Sequence, residues 1–207
     1  SLRAPKTEAF KRWFGDSKVV DENGDPLVLY RGVDKDYGAT MRVAKEGALG
    51  AGIYMTPNPE FASTYAQGEA GNVIPMYASL KNPLILKHTA SEDPMILALV
   101  QLGMQRNKAE TLVEKAYEEK GYIGKQVMTR AQAQNYDGIM QYRNGELMEV
   151  VAFSPNQVKS STGNIGTFDA TSPDIRYSLR DAAKIDLDRS LNDKRISPRL
   201  PTAVKAK

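Results

Sequence analysis

Cysteine is missing from the 207 residues. That excludes a disulfide framework, a thiolate nucleophile and a Cys-ligated zinc. Histidine occurs once, at His88, which excludes multi-histidine metal sites and disfavours a Ser-His-Asp triad. No apolar run approaches the ~18–20 residues of a membrane helix; the longest is Met95–Val100. No signal peptide is expected, because Lys6, Glu8, Lys11 and Arg12 break up the first residues. A glycine-rich phosphate loop after a strand is also lacking. The GALGAG stretch from Gly47 to Gly52 instead precedes a strand and reads as a flexible connection. Charge of one sign is absent from the body of the chain. From Ser178 to Lys207 there are eight Lys or Arg against four Asp, so this tail carries +4 and the remainder −1 of the net +3. A near-neutral body has no strong electrostatic footprint for nucleic acid, although a local patch can hide inside a zero sum.

What is present is an ordinary globular mix, with 41% hydrophobic and 26% charged residues. Thr7 to Phe14 reads as a capped helix with Phe10, Trp13 and Phe14 on one face. Lys18–Val20 and Leu27–Arg31 read as strands around an Asn23-Gly24 turn. Asp34 to Ala51 reads as a loop whose glycines and small residues suggest mobility or ligand contact. Ile53–Thr56 reads as a strand and Pro59 to Ala66 as a helix. Strands are expected over Asn72–Leu80 and Pro83–Leu86, the first at a sheet edge because of Pro75. Helices are expected over Asp93–Gln105, Asn107–Lys120 and Thr129–Asn135. Ile139–Tyr142 and Leu147–Phe153 then form a hairpin around Asn144-Gly145, and Val158 begins a short last piece. Mainly antiparallel strands with interspersed helices give an α+β class. The domain is expected over 7–177, followed by a charged tail or interdomain linker over 178–207 with one helix over 180–191.

Three segments carry polar or aromatic residues in apolar settings: Tyr30-Arg31-Gly32, Gly52 to Tyr65, and Glu149 to Phe153. Glu149 sits among Leu147, Met148, Val150, Val151 and Phe153, where a carboxylate needs a partner or a purpose. Periodicity alone also fits a glutamate on the wet face of a half-exposed strand. Arg31 fits a structural ion pair, and Tyr54 and Tyr65 fit core aromatics. His88, at a strand end, reads as a surface residue.

Order and local wording resemble the ADP-ribosyltransferase superfamily, and in particular the transferase domains embedded in polyvalent proteins of phages and mobile elements. The resemblance rests on Trp13 to Tyr30, Tyr30-Arg31-Gly32, Gly52 to Tyr65, Glu149 to Lys159 and Thr167 to Ser178, in that order. It implies two packed antiparallel β-sheets around an NAD+ cleft, with helical insertions. It implies Glu149 as the catalytic glutamate, Tyr54 and Tyr65 as the rings bracketing nicotinamide, and Gly32 as the backbone contact to the carboxamide. Thr56 joins the NAD-binding set. Arg31 stands where the diphtheria-toxin-like branch has histidine. The Arg-Ser-Glu branch has arginine there but pairs it with a Ser-Thr-Ser strand, whereas this chain has Tyr54-Met55-Thr56, a mixed pattern. Arg31 is then expected on the pyrophosphate or a ribose hydroxyl. Leu147 occupies the position where arginine-modifying relatives carry a second carboxylate, which speaks against an arginine acceptor.

The resemblance thus implies a mono-ADP-ribosyltransferase that consumes NAD+, needs no metal, and modifies a macromolecule, protein ahead of nucleic acid. It would belong to a longer polypeptide and act in the cytoplasm, of a bacterium or of a host cell after delivery, as a toxin, effector or counter-defence factor. Two alternatives share the same cleft: an NAD or ADP-ribose-binding module with impaired turnover, and an NAD glycohydrolase.

Overall fold

The computed structural model describes residues 5–34, 40–69, 71–119, 123–164 and 168–176. The expected tail from Ser178 and its helix over 180–191 lie outside these residues. Thr7 caps helix α1 (Glu8–Phe14) by accepting from the Phe10 amide at 3.2 Å, and Gly15, at φ 53°, closes it. The Asn23-Gly24 turn forms, tied by the Asp21 carboxylate accepting from the Asn23 and Asp25 amides. Its arms are joined only by the bridge Val20↔Pro26, so Lys18–Val20 is not a ladder strand.

Two sheets follow. One is antiparallel and has β3 (Asn72–Ala78) between β1 (Leu29–Val33) and β7 (Val158–Ser160). Strand β3 is therefore central, not an edge. Pro75 is tolerated because β7 pairs only Met76–Ala78. The Pro75 carbonyl accepts from Ser161 on that side, so the missing N–H faces the stretch where β7 has already ended. The second sheet has the order β2 (Ile53–Met55), β6 (Glu146–Ala152), β5 (Gly138–Arg143), β4 (Pro83–His88). Its β4–β5 pair is parallel, the one departure from the antiparallel expectation. A parallel pair needs a long crossover, and three helices supply it: α3 (Pro94–Gln101), α4 (Arg106–Glu118) and α5 (Gln126–Ala133). Helix α5 starts and stops earlier than expected, since the chain leaves it at Asn135 with φ 64°. The short helix α2 (Pro59–Ser63) is capped by Asn58.

Alternation along the strands divides the core into layers. Leu29, Met76 and Val158 of the first sheet meet Ile53, Met55, Met140 and Val150 of the second. The opposite face of the second sheet, with Leu84, Leu86, Ile139 and Val151, packs on Ala98, Leu99, Val113 and Ala131 of the helices. The opposite face of the first sheet carries Tyr77 under Phe10, Trp13, Phe14 and Phe168. The expected α+β fold with two packed sheets is the one observed.

Candidate active site

The two sheets are stitched together at one point. Strand β2 pairs with β6 up to Met55↔Val150, and then the chain changes partner. Thr56 exchanges both backbone hydrogen bonds with Tyr30 of β1, at 2.7 and 2.9 Å. Beside this switch lies a cavity of about 220 Å³ lined by residues of both β1 and β6. Arg31, Gly32, Tyr54, Thr56, Tyr65 and Glu149 all line it, so the six residues singled out in the sequence share one cavity.

Glu149 reaches this place through an irregularity in the strand. In the β5–β6 ladder Gln141 pairs with Glu149 and Tyr142 with Leu147, so Met148 is an extra residue. Such a bulge re-aims the side chains beside it. The Glu149 carboxylate is partly buried and accepts no hydrogen bond among the described residues. Burial pushes its carboxyl above the ordinary 4.5, and the Arg143 charge pulls partly back.

Tyr54 is fixed by the glycine-rich stretch that read as a mere connection. Its hydroxyl donates to the Gly50 carbonyl at 2.7 Å and accepts from the Leu49 amide at 2.9 Å. A Cβ on Gly47 would overlap the Tyr54 ring, so the backbone lies directly against the aromatic edge. Burial pushes the hydroxyl far above its usual value, the Leu49 amide lowers it, and the nearby Glu149 charge raises it further. Gly32 serves a close approach of another kind: a Cβ there would collide with the Ala62 carbonyl oxygen of α2. That contact sets α2 against β1 and brings Phe61 and Tyr65 to the mouth, with ring centroids 5.6 Å apart and edge to face. Tyr65 is 59% exposed and therefore stands at the rim rather than inside.

Arg31 spans the two sheets, its Nη1 donating to the Tyr54 carbonyl at 2.8 Å. This hydrogen bond ties the Tyr54 backbone to β1. His88 departs from expectation. It is 8% exposed, not a surface residue. The alternating burial of Leu84, Leu86 and His88 carried that signal. Phe61, in a segment the sequence singled out, and Gly47 and Ala48, in the loop read as mobile or ligand-contacting, also wall the cavity, while Gln141 as the cross-strand neighbour of Glu149 had no signal in the sequence. Among the described residues no cluster of three or more His, Asp or Glu is placed to hold a metal ion. No described helix is long and apolar enough to cross a membrane.

Comparison with known proteins returns one family, described as ADP-ribosyltransferase in polyvalent proteins, which matches residues 21–168. No curated protein and no solved structure matches. The matched span takes in the seven strands of the described residues and every wall of the cavity, from Tyr30 to Glu149. Enzymes of this class use NAD+ as their substrate. With most of its length inside that match, the chain belongs to the ADP-ribosyltransferase family of polyvalent proteins.

Proposed function

We propose that this chain cleaves the bond between nicotinamide and ribose in NAD+ and transfers a single ADP-ribose unit to a macromolecule. The observation that carries the reading is Glu149: a partly buried carboxylate with no hydrogen-bond donor among the described residues, on a bulged strand inside a cavity walled by Tyr54, Tyr65 and Phe61. Losing the cationic pyridinium leaves positive charge on the ribose, as in glycoside cleavage. A carboxylate held rigidly in a partly dry site stabilises that charge as it develops. Glu149 is the catalytic residue in this reading. Tyr54 offers a fixed aromatic face for the pyridinium, and Tyr65 closes on it from the rim. The Gly32 backbone and Thr56 hold the carboxamide end. At about 220 Å³ the cavity suits a pyridine ring and its ribose. That is below the ~300–1,000 Å³ of sites that enclose drug-sized ligands. The adenosine half then lies along the outer groove. Arg31, anchored to the Tyr54 carbonyl, acts first by positioning that strand.

In this reading the domain is part of a longer polypeptide, acts in a bacterial or host cytoplasm as an effector of a phage or mobile element, and needs no metal. Incubation with NAD+ labelled in its ADP-ribose half and a cell lysate tests it. Label on a protein, as single units, is the expected result. Free ADP-ribose alone would make the chain a glycohydrolase, and NAD+ binding without cleavage would make it a binding module.

A further inference from the structure

One charged side chain away from the cavity is buried and has no part in the chemistry above. Lys159, on β7, is 1% exposed, the one lysine or arginine buried among the described residues. Its neighbour Val158 faces the core between the sheets. Alternation therefore turns Lys159 to the outer face, beside its cross-strand partner Tyr77. Taking an ammonium out of water is costly unless its donors are used. Here Nζ donates to the Ser172 carbonyl at 2.6 Å and to the Asp174 carbonyl at 2.8 Å.

Those two carbonyls flank Pro173, which has no N–H of its own to offer. Buried backbone acceptors need donors, and Lys159 supplies them. It thereby latches the closing segment, residues 168–176, onto the first sheet. Phe168 joins the outer aromatic cluster and Ile175 the core between the sheets, so the segment passes round the β7 edge. There the Ser160 amide donates to the Ile175 carbonyl at 2.8 Å. The family match ends at residue 168, so the carbonyls that Lys159 holds lie beyond it.

The latched segment reaches the cavity by way of Thr40, which bridges Asp174 at the head of the stretch that walls the cavity. Met41 is buried in the core between the sheets. Ala44 exchanges both backbone hydrogen bonds with Gly52, at 2.8 and 3.0 Å. Ala44, Glu46, Gly47 and Ala48 then line the cavity, with Gly47 against the Tyr54 ring.

We propose that Lys159 is a positioning residue: through the Ser172 and Asp174 carbonyls it holds Thr40, and so keeps the wall over 40–48 in place around NAD+. The inference rests on the NAD+ reading above. Without the ammonium both carbonyls lose their donor, the Asp174–Thr40 bridge loosens, and the wall spends part of its time away from the Tyr54 ring. Affinity falls in proportion to the fraction of molecules whose wall is in place. Once NAD+ is bound the wall is closed and Glu149 acts as before, so the step after binding is spared.

Calorimetric titration with NAD+, nicotinamide release at saturating NAD+, and backbone hydrogen exchange read by mass spectrometry test this on the wild type, Lys159→Met and Thr40→Pro. In Lys159→Met, exchange over 40–51 should quicken by about tenfold or more while β5 and β6 keep their protection. NAD+ should bind about tenfold or more weakly, with release at saturation within about threefold of the wild type. Thr40→Pro breaks the bridge from the loop side, at an exposed position. It should give the same pattern, which keeps the test decisive where Lys159→Met does not fold. Exchange over 40–51 equal to the wild type in a folded variant, with only 168–176 loosened, would overturn the proposal. So would wild-type NAD+ affinity in a variant whose wall exchanges faster, or a fall in release at saturation as large as the fall in affinity. Should the wild type bind no NAD+, the transferase reading fails, and exchange over 40–51 alone decides whether Lys159 positions the wall.

Discussion

Replacing Glu149 with glutamine is expected to stabilise the protein at neutral pH. The carboxylate is partly buried, accepts no hydrogen bond among the described residues, and has its pKa raised by burial. An acid whose folded pKa lies above its unfolded value holds its proton more tightly in the native state. Stability is therefore greatest below the ordinary value of 4.5 and falls as pH rises through the folded value. At neutral pH the full penalty acts. A buried acceptor left unpaired costs ~1–3 kcal/mol. Glu149 keeps some solvent contact and feels the Arg143 charge, which places the gain near the low end, at ~1 kcal/mol. For a chain of this size that is a rise of about 2–4 °C in Tm. Melting curves of wild type and Glu149→Gln, at neutral pH and below pH 4.5, measure it. The gap should be widest at neutral pH and shrink in acid. A variant no more stable than the wild type at neutral pH, or a gap that persists unchanged in acid, would refute the reasoning. A gain here is what a site that trades stability for chemistry predicts.

Three further outcomes follow from single contacts. Gly32→Ala drives a Cβ into the Ala62 carbonyl, a backbone atom that cannot swing aside. Overpacking of this kind costs ~1–3 kcal/mol, so Tm should fall by several degrees and NAD+ affinity with it; a melt matching the wild type counts against the close contact. Tyr54→Phe strips the Gly50 carbonyl and the Leu49 amide of their partner. A loss of ~1–3 kcal/mol in urea unfolding is expected, and an unchanged midpoint would show that water replaces the hydroxyl at no cost. Lys159 is buried, its Nζ donating to the Ser172 and Asp174 carbonyls at 2.6 and 2.8 Å. Burial pulls its pKa down from 10.5 to about 8, against the opposing pull of Asp169 and Asp174. Between those values the unfolded chain binds more protons, so stability should rise with pH across the window. Lys159→Met should abolish that rise in urea midpoints, and an identical slope in the variant would reassign the titration.

The elements that placed the site were legible because each rests on local chemistry. Thr7, Asn58 and Asp93 cap helices through their own side chains, and Asn144-Gly145 closes the β5–β6 hairpin. The six residues of the cavity came from a family pattern spread along the chain, and the fold gathers them because β2 changes partner at Thr56. What stayed hidden depends on pairing at long range. The parallel β4–β5 register, the bulge at Met148 and the Gln141–Glu149 juxtaposition are set by strand order, which no local window contains. His88 was misplaced by reading its polarity ahead of its alternation with Leu84 and Leu86. Pro75 pointed to an edge because the length of β7, not the sequence around the proline, decides which nitrogens need a partner.

Nicotinamide release by wild type and Glu149→Gln, measured with NAD+ affinity determined on the same samples, is the most direct test of the carboxylate's role. Turnover should fall by ~100-fold or more, in the range lost with a single electrostatic stabiliser, while affinity stays within a few-fold. Release at the wild-type rate from the glutamine variant would contradict the assignment of Glu149 as the group that stabilises the charged ribose.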